Sequence, residues 1–235
     1  MSDTNRVLVI LPAYNEQAAI KRTVEKVIRR GFDYVVVNDG STDKTKEILE
    51  DNKYNFIDLP KNLGIGGAVQ NGYKYALAHG YNIAVQFDAD GQHDVDSIKK
   101  LVQPIVDNEA DFVIGSRFVS EEKDNFRSSR SRRVGIKVLS SWMRLLSGET
   151  IHDVTSGFRA ANKSVVEKFA KNYPQKYPEP SSTFLLLMEG LRVREVSVRM
   201  YERDGGKSSI TAWKSFDYMF SVMKDIARIR LHRGR

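Results

Sequence analysis

The chain has 235 residues, of which 41% are hydrophobic and 29% charged, a composition that suits one sizeable α/β domain. It contains no cysteine, which excludes a disulfide framework, a thiolate nucleophile and a Cys-ligated zinc site. The formal net charge of +7 favours an anionic partner, and no apolar run approaches the roughly 18–20 residues needed to span a bilayer.

Arg6 to Leu11 reads as a buried first strand, stopped by Pro12. Ala13-Tyr14-Asn15-Glu16 follows, with Asn15 as a candidate N-cap for a helical pattern through Ile20, Val24, Val27 and Ile28 that ends at Gly31. Tyr34 to Val37 is a second buried strand, broken by Asn38-Asp39-Gly40-Ser41-Thr42-Asp43, a turn followed by a helix start. Asn55 to Leu59 reads as a short third strand, ending at Pro60. Asn62-Leu63-Gly64-Ile65-Gly66-Gly67 then opens a helix through Ala68, Tyr75, Ala76 and Leu77. Ile83 to Phe87 is a further apolar strand that ends abruptly in Asp88-Ala89-Asp90-Gly91-Gln92-His93.

Asp94 is a plausible cap for a helix to Val106, and Asp111 to Arg117 reads as a strand that ends on a cation. Ser120 to Arg133 is polar, reads as a loop and carries Arg127, Arg130, Arg132 and Arg133. Val134 to Leu146 is amphipathic, and Asp153 to Arg159 forms a compact loop dense in functional groups. Tyr177-Pro178-Glu179-Pro180 reads as a rigid loop, Phe184 to Leu191 as a helix and Glu195 to Tyr201 as a half-exposed strand. Arg203 to Ser209 is a Gly-rich polar loop, and Ile210 to Leu231 is a second amphipathic helix running into a basic tail.

Alternation of strand and helix through the first half implies parallel β-α units, so the strand ends share one edge, where open α/β sheets bind ligands. That edge would collect carboxylates, amides and glycines at 64, 66 and 67 able to approach a nucleotide closely. Two hard carboxylates one residue apart suit Mg²⁺ or Mn²⁺ shared with phosphates; taken alone, the same pair also reads as a solvated Asp-rich turn. Gly64-Ile65-Gly66-Gly67 is not a dinucleotide fingerprint and does not follow the first strand, and no P-loop motif is present.

Together, Pro12 to Glu16, Asn38 to Asp43, Asn62 to Gly64 and Asp88 to His93 resemble the family 2 glycosyltransferases of the GT-A fold. Asp153-Val154-Thr155-Ser156-Gly157-Phe158-Arg159 is similar to the acceptor loop of the polyprenyl-phosphate sugar transferases, the group of dolichyl-phosphate mannose synthase and its undecaprenyl-phosphate relatives. Arg203 to Ser209 resembles a late element of the same group. The resemblance implies a GT-A catalytic domain over 1–210, with a donor half at 1–118 and an acceptor half at 119–210, followed by a basic amphipathic helix and tail at 211–235.

It further implies that Pro12, Tyr14, Glu16, Asp39, Asn62, Gly64, Asp88, Ala89 and Asp90 surround the nucleotide sugar. Asp88, Asp90 and Gln92 would hold Mg²⁺ or Mn²⁺, and Arg203 would add a cation on the diphosphate. Arg117, Arg132, Arg133, Ser156 and Arg159 are the candidates for the acceptor phosphate. Asp153 is either a base or a residue that orients its loop.

The expected reaction is inverting transfer of a sugar from a nucleotide diphosphate, UDP-glucose or UDP-N-acetylglucosamine before GDP-mannose, to undecaprenyl phosphate. The expected location is cytoplasmic, at the inner face of the cell membrane, held by basic and amphipathic elements, an oligomer or a small membrane-protein partner. Nucleic acid is not an expected partner. The rivals are transfer to a saccharide hydroxyl with Asp153 as essential base, and a non-catalytic module for nucleic acid or anionic surfaces. For His93 and His152 a structural hydrogen-bonding role is the simpler expectation.

Overall fold

A computed structural model describes residues 5–119, 130–199, 201 and 212–233, with side chains omitted at 130–132, 212–216 and 233. The elements run β1 (Val7–Ala13), α1 (Ile20–Arg29), β2 (Asp33–Asn38), α2 (Thr45–Asp51), β3 (Phe56–Asp58), α3 (Gly64–Ala78), β4 (Ile83–Gln86) and α4 (Ser97–Val106). They continue with β5 (Phe112–Ser116), α5 (Arg130–Ser147), β6 (Arg159–Ala161), α6 (Lys163–Lys171), α7 (Pro178–Met188), β7 (Val193–Ser197) and α8 (Ala212–Arg233).

The strands form one sheet in the order β3-β2-β1-β4-β6-β5-β7. β1 pairs in parallel with β2 and β4, β2 with β3, and β5 with β7, while β6 runs antiparallel between β4 and β5. The carboxyl ends of the parallel strands therefore meet at one edge, and the reversed β6 brings its own beginning, Arg159, to that edge. The parallel pairing of β1 to β4 is what the alternation of elements implies, and the antiparallel β6 makes the sheet a mixed one.

Period-two alternation along β1 splits the core between the two faces of the sheet. Leu8 and Ile10 join Val35, Val37, Phe112, Phe184, Met143, Val222 and Ile226 on the face covered by α3, α5, α6, α7 and α8. Val7, Val9 and Leu11 join Val24, Val27, Leu101 and Val113 on the face covered by α1 and α4. Full burial of each such side chain contributes roughly 1.5–3 kcal/mol. α3 comes close to the sheet because Gly72 has no side chain: a Cβ there would lie 2.2 Å from Ile10 Cγ2.

Several boundaries differ from the sequence expectations. β1 does not stop at Pro12 but runs through it, opposite Val37. Ile10 accepts from Phe87 N at 2.9 Å as the final rung toward β4, so Pro12, two residues on, needs no N–H on that side. Asn15 is not an N-cap; α1 starts at Ile20, and Asn15 sits at φ 57° in the preceding loop. Pro178-Glu179-Pro180 is the first turn of α7 rather than a loop, with Pro at the position where a helix tolerates it. The expected loop of 120–133 lies mostly outside the described residues, and its end, from Arg130, is already helix. On α5, Ile136, Leu139 and Met143 are core residues, and on α8 Phe220, expected on the apolar face, is 60% exposed.

Candidate active site

The strand-end loops are cross-tied before any ligand arrives. Asn15 Oδ1 accepts from Thr42 N at 2.8 Å and Asp43 N at 3.3 Å, while Asn15 N donates to Ser41 Oγ at 3.0 Å. Glu16 N donates to Thr45 Oγ1 at 2.9 Å, and Gln17 N to Asp43 Oδ2 at 3.1 Å. Asp39, nearly buried, accepts from Leu63 N at 2.7 Å and so ties the loop after β2 to the start of α3. Pro12 is buried at the strand end, Tyr14 is 45% exposed above it, and Glu16 is half-buried. Asn62 is first a turn residue, its Oδ1 accepting from Gly64 N at 2.8 Å.

The glycines divide differently from the sequence expectation. Gly64 takes φ 79° with open space where a Cβ would sit. Gly66 and Gly67 are buried, and a Cβ there would meet the Pro174–Gln175 backbone or Leu63. Those two serve chain packing rather than approach to a nucleotide.

Asp88 and Asp90 follow β4 at the shared edge. Asp90 is 6% exposed and accepts from Gln92 N at 3.0 Å, whereas the Asp88 side chain is 35% exposed. Asp88 Oδ2 lies 3.2 Å from His93 Nε2. Burial pushes the Asp88 carboxyl up, but the hydrogen bond and charge of His93, the neighbouring Gln86 amide and the Arg159 guanidinium outweigh it and hold it below the ordinary value. Ala89 packs into the core, and its carbonyl accepts from Thr23 Oγ1 at 3.2 Å, so its side chain does not face the edge. Gln92 is half-buried, and its carbonyl accepts from Tyr201 N at 2.8 Å.

Among the described residues no group of three or more His, Asp or Glu is placed to hold a metal ion unaided. Two carboxylates at a strand end fit Mg²⁺ or Mn²⁺ that completes its shell with water and substrate phosphates, the usual habit of these hard cations.

The 152–158 loop reaches this pair directly. A Cβ built on Gly157 would lie 2.6 Å from Asp88 Oδ2. The loop is held by groups that the sequence reading missed. Glu195, on β7, accepts from His152 N at 2.7 Å, from Asp153 N at 2.8 Å and from the His152 ring at 2.8 Å. A carboxylate on a half-exposed strand gave no local signal of that role.

Three of the acceptor-phosphate candidates have partners within the protein. Arg117 donates from Nε to Asp153 Oδ2 at 2.7 Å and from Nη2 to Asp153 Oδ1 at 2.6 Å, with side chains 6% and 0% exposed. Arg159 is 0% exposed and is held by the carbonyls of Ser156, Glu179 and Val154 and by Ser182 Oγ. Ser156 donates to Gly115 O at 2.6 Å and is also buried. Buried polar groups are normally paired in this way. These residues brace the loop from within. For Asp153, with both oxygens taken by Arg117, the geometry matches the orienting alternative. Arg133 is exposed on the first turn of α5, whereas the Arg132 side chain, Arg127 and Arg203 lie outside the described residues.

The match to known proteins agrees with this arrangement. The profile of glycosyl transferase family 2 covers residues 8–170. The chain belongs to glycosyl transferase family 2. This family 2 glycosyltransferase is 34% identical to a UDP-N-acetylglucosamine–dolichyl-phosphate N-acetylglucosaminyltransferase of Methanococcus voltae, over 93% of this chain and 96% of the relative. It is 31% identical to the polyprenol monophosphomannose synthase of Mycolicibacterium smegmatis, over 99% of this chain and 91% of the relative. The structure of glucosyl-3-phosphoglycerate synthase from Mycobacterium tuberculosis, bound to Mn²⁺, UDP and glucosyl-3-phosphoglycerate, superposes with a TM-score of 0.67 at 19% identity, covering 98% of this chain and 80% of that one. The fold of the family 2 glycosyltransferase described here is thus GT-A.

Proposed function

We propose that the protein transfers a sugar from a nucleotide diphosphate donor to a polyprenyl phosphate, with inversion at the anomeric carbon. One observation carries the reading: Gly157, within the Asp153–Arg159 segment that resembles an acceptor loop, lies against Asp88 at the carboxyl end of β4, so donor and acceptor elements adjoin. The similarity to relatives named for dolichyl, polyprenol and undecaprenyl phosphates supports the acceptor class. Undecaprenyl phosphate and UDP-N-acetylglucosamine or UDP-glucose are the first acceptor and donors to test.

In this reading the loops at 12–17 and 39–45 receive the nucleoside, with Tyr14 against it and Asp39 fixing the turn. Asp88 and Asp90, with Gln92 beside them, would hold Mg²⁺ or Mn²⁺, which when bound offsets the charge of the departing nucleoside diphosphate. Arg203 adds a cation to that leaving group. The acceptor phosphate attacks the anomeric carbon as the bond to the diphosphate breaks. A phosphate monoester with a second pKa of about 6 is already a nucleophile near neutral pH, so no protein base has to take a proton from it. Arg132 and Arg133, at the start of α5, are among the cations proposed to receive that phosphate. Asp153 keeps its loop in place through Arg117 rather than taking part in the chemistry.

No described helix is long and apolar enough to cross a membrane. α5 nevertheless leaves Val134 61% and Leu145 73% exposed beside Arg133, Lys137 and Arg144. α8 leaves Phe220 60% and Leu231 73% exposed beside Lys224, Arg228 and Arg230. An apolar groove of about 400 Å³ lined by Val134, Val138, Trp142 and Met223 runs between them. Mixed apolar and cationic surface suits an anionic bilayer, the expected surface being the inner leaflet, with an oligomer or small membrane partner as added anchor.

The test is incubation of the protein with a panel of nucleotide sugars, Mg²⁺ or Mn²⁺, and undecaprenyl or dolichyl phosphate, scored for sugar extracted with lipid. Transfer to lipid supports the reading; transfer only to saccharide hydroxyls overturns it.

A further inference from the structure

Besides Gln86 and Arg159, Asp88 meets His93 and Gly157, which come from different parts of the chain. His93 is 3% exposed, and its Nε2 lies 3.2 Å from Asp88 Oδ2. Among the described residues its Nδ1 is buried without a hydrogen-bond partner. A carboxylate only accepts, so the proton of a neutral ring belongs on Nε2, facing Asp88. The ring is wedged between Phe87, 5.5 Å away between centroids, and Phe158, 4.9 Å away, and the two phenyl rings meet each other at 5.3 Å. Phe158 follows Gly157, whose missing side chain admits Asp88: a Cβ there would come within 2.6 Å of Oδ2 and 3.0 Å of Oδ1. Gly157 is not among the glycines with positive φ, so the position demands space rather than an unusual backbone.

We infer that His93 and Gly157 are positioning residues for Asp88, which fix its carboxylate for a divalent cation and thereby make the acceptor loop part of the donor site. His93 orients Oδ2 by donating to it, as second-shell donors orient metal-binding carboxylates. Gly157 sets how close the loop lies to the same oxygen, while Phe158 locks the histidine ring. A shift of the loop on binding its acceptor then moves Asp88, and linkage requires the reverse effect to be equal. The inference rests on Asp88 and Asp90 forming the metal–diphosphate site.

The experiment is calorimetric titration of the full chain with UDP and with GDP in the presence of Mn²⁺, alongside electron paramagnetic resonance of bound Mn²⁺. Three variants are compared. His93→Phe keeps the ring contacts without the donor, His93→Gln keeps a donor, and Gly157→Ala fills the space. His93→Phe and Gly157→Ala are expected to weaken Mn²⁺–nucleotide binding roughly ten- to a hundredfold, and His93→Gln to retain most of the affinity. Circular dichroism identifies a variant that has lost its fold, and the remaining variants then decide. Parental affinity in the folded His93→Phe and Gly157→Ala proteins overturns the inference, as does equal loss in His93→Gln and His93→Phe. Failure of the underlying site reading looks different: the parent binds neither nucleotide with Mn²⁺, or Asp90→Ala binds as well as the parent.

Discussion

Replacing Asp153 by Asn separates an anchoring role from a catalytic one. The wild-type carboxylate receives Nε and Nη2 of Arg117 at 2.7 and 2.6 Å and the Arg117 backbone N at 3.1 Å, in a setting where the two side chains are 0% and 6% exposed. Breaking a buried pair by removing one charge costs about 3–5 kcal/mol, because the other charge stays buried without its counterion. Asn keeps the shape and one acceptor oxygen, which places the expected loss near the lower end, about 3 kcal/mol. For a domain of this size that corresponds to a fall in Tm of about 6–12 °C. Thermal melts followed by circular dichroism, with urea midpoints and unchanged m-values, measure it. The double variant Arg117→Met/Asp153→Leu should recover most of the loss, because neither charge remains to be desolvated. An Asp153→Asn protein with parental Tm and abolished turnover would refute the anchoring argument and revive the base.

Three further outcomes follow from the packing and electrostatics. Burial raises the Glu179 carboxyl above its ordinary value against the opposing charge of Arg159. The stability it contributes is therefore full below its unfolded pKa and lost as pH rises through the folded one. Glu179→Gln should raise Tm at pH 7, with the gain fading below about pH 4.5, as melts at the two pH values will show. Gly72→Ala forces a Cβ to 2.2 Å from Ile10 Cγ2 and should cost about 1–3 kcal/mol in urea unfolding, a cost that Ile10→Val, which keeps that methyl, should leave in place. Leu145→Glu, at a position 73% exposed, should leave stability within about 0.5 kcal/mol of the parent yet reduce flotation with anionic liposomes.

The donor edge was legible because apolar runs stop abruptly at polar clusters: Val35–Val37 before Asn38-Asp39, and Ile83–Phe87 before Asp88. Such transitions mark strand ends whatever follows. Pro12 misled because a proline at the last rungs of a strand is harmless once the neighbouring strand has diverged. Arg159-Ala160-Ala161 carries no β signal, and it becomes β6 only because β4 and β5 flank it. The arginines were the hardest to read. Sequence identifies a cation but not whether its donors face solvent, and the acceptors that absorb Arg159, at Glu179 and Ser182, lie 20 and 23 residues away. Gly157 gave no hint of its contact with Asp88, since that contact depends on β6 running antiparallel beside β4.

The central claim is that the carboxylates at the end of β4 grip the cation that accompanies the donor diphosphate. Crystals grown with UDP or GDP and Mn²⁺, with data collected at the manganese edge, test it most directly. The account predicts an anomalous peak about 2.0–2.2 Å from oxygens of Asp88 or Asp90 and from the nucleotide phosphates. A bound nucleotide whose manganese peak lies away from both residues would contradict it.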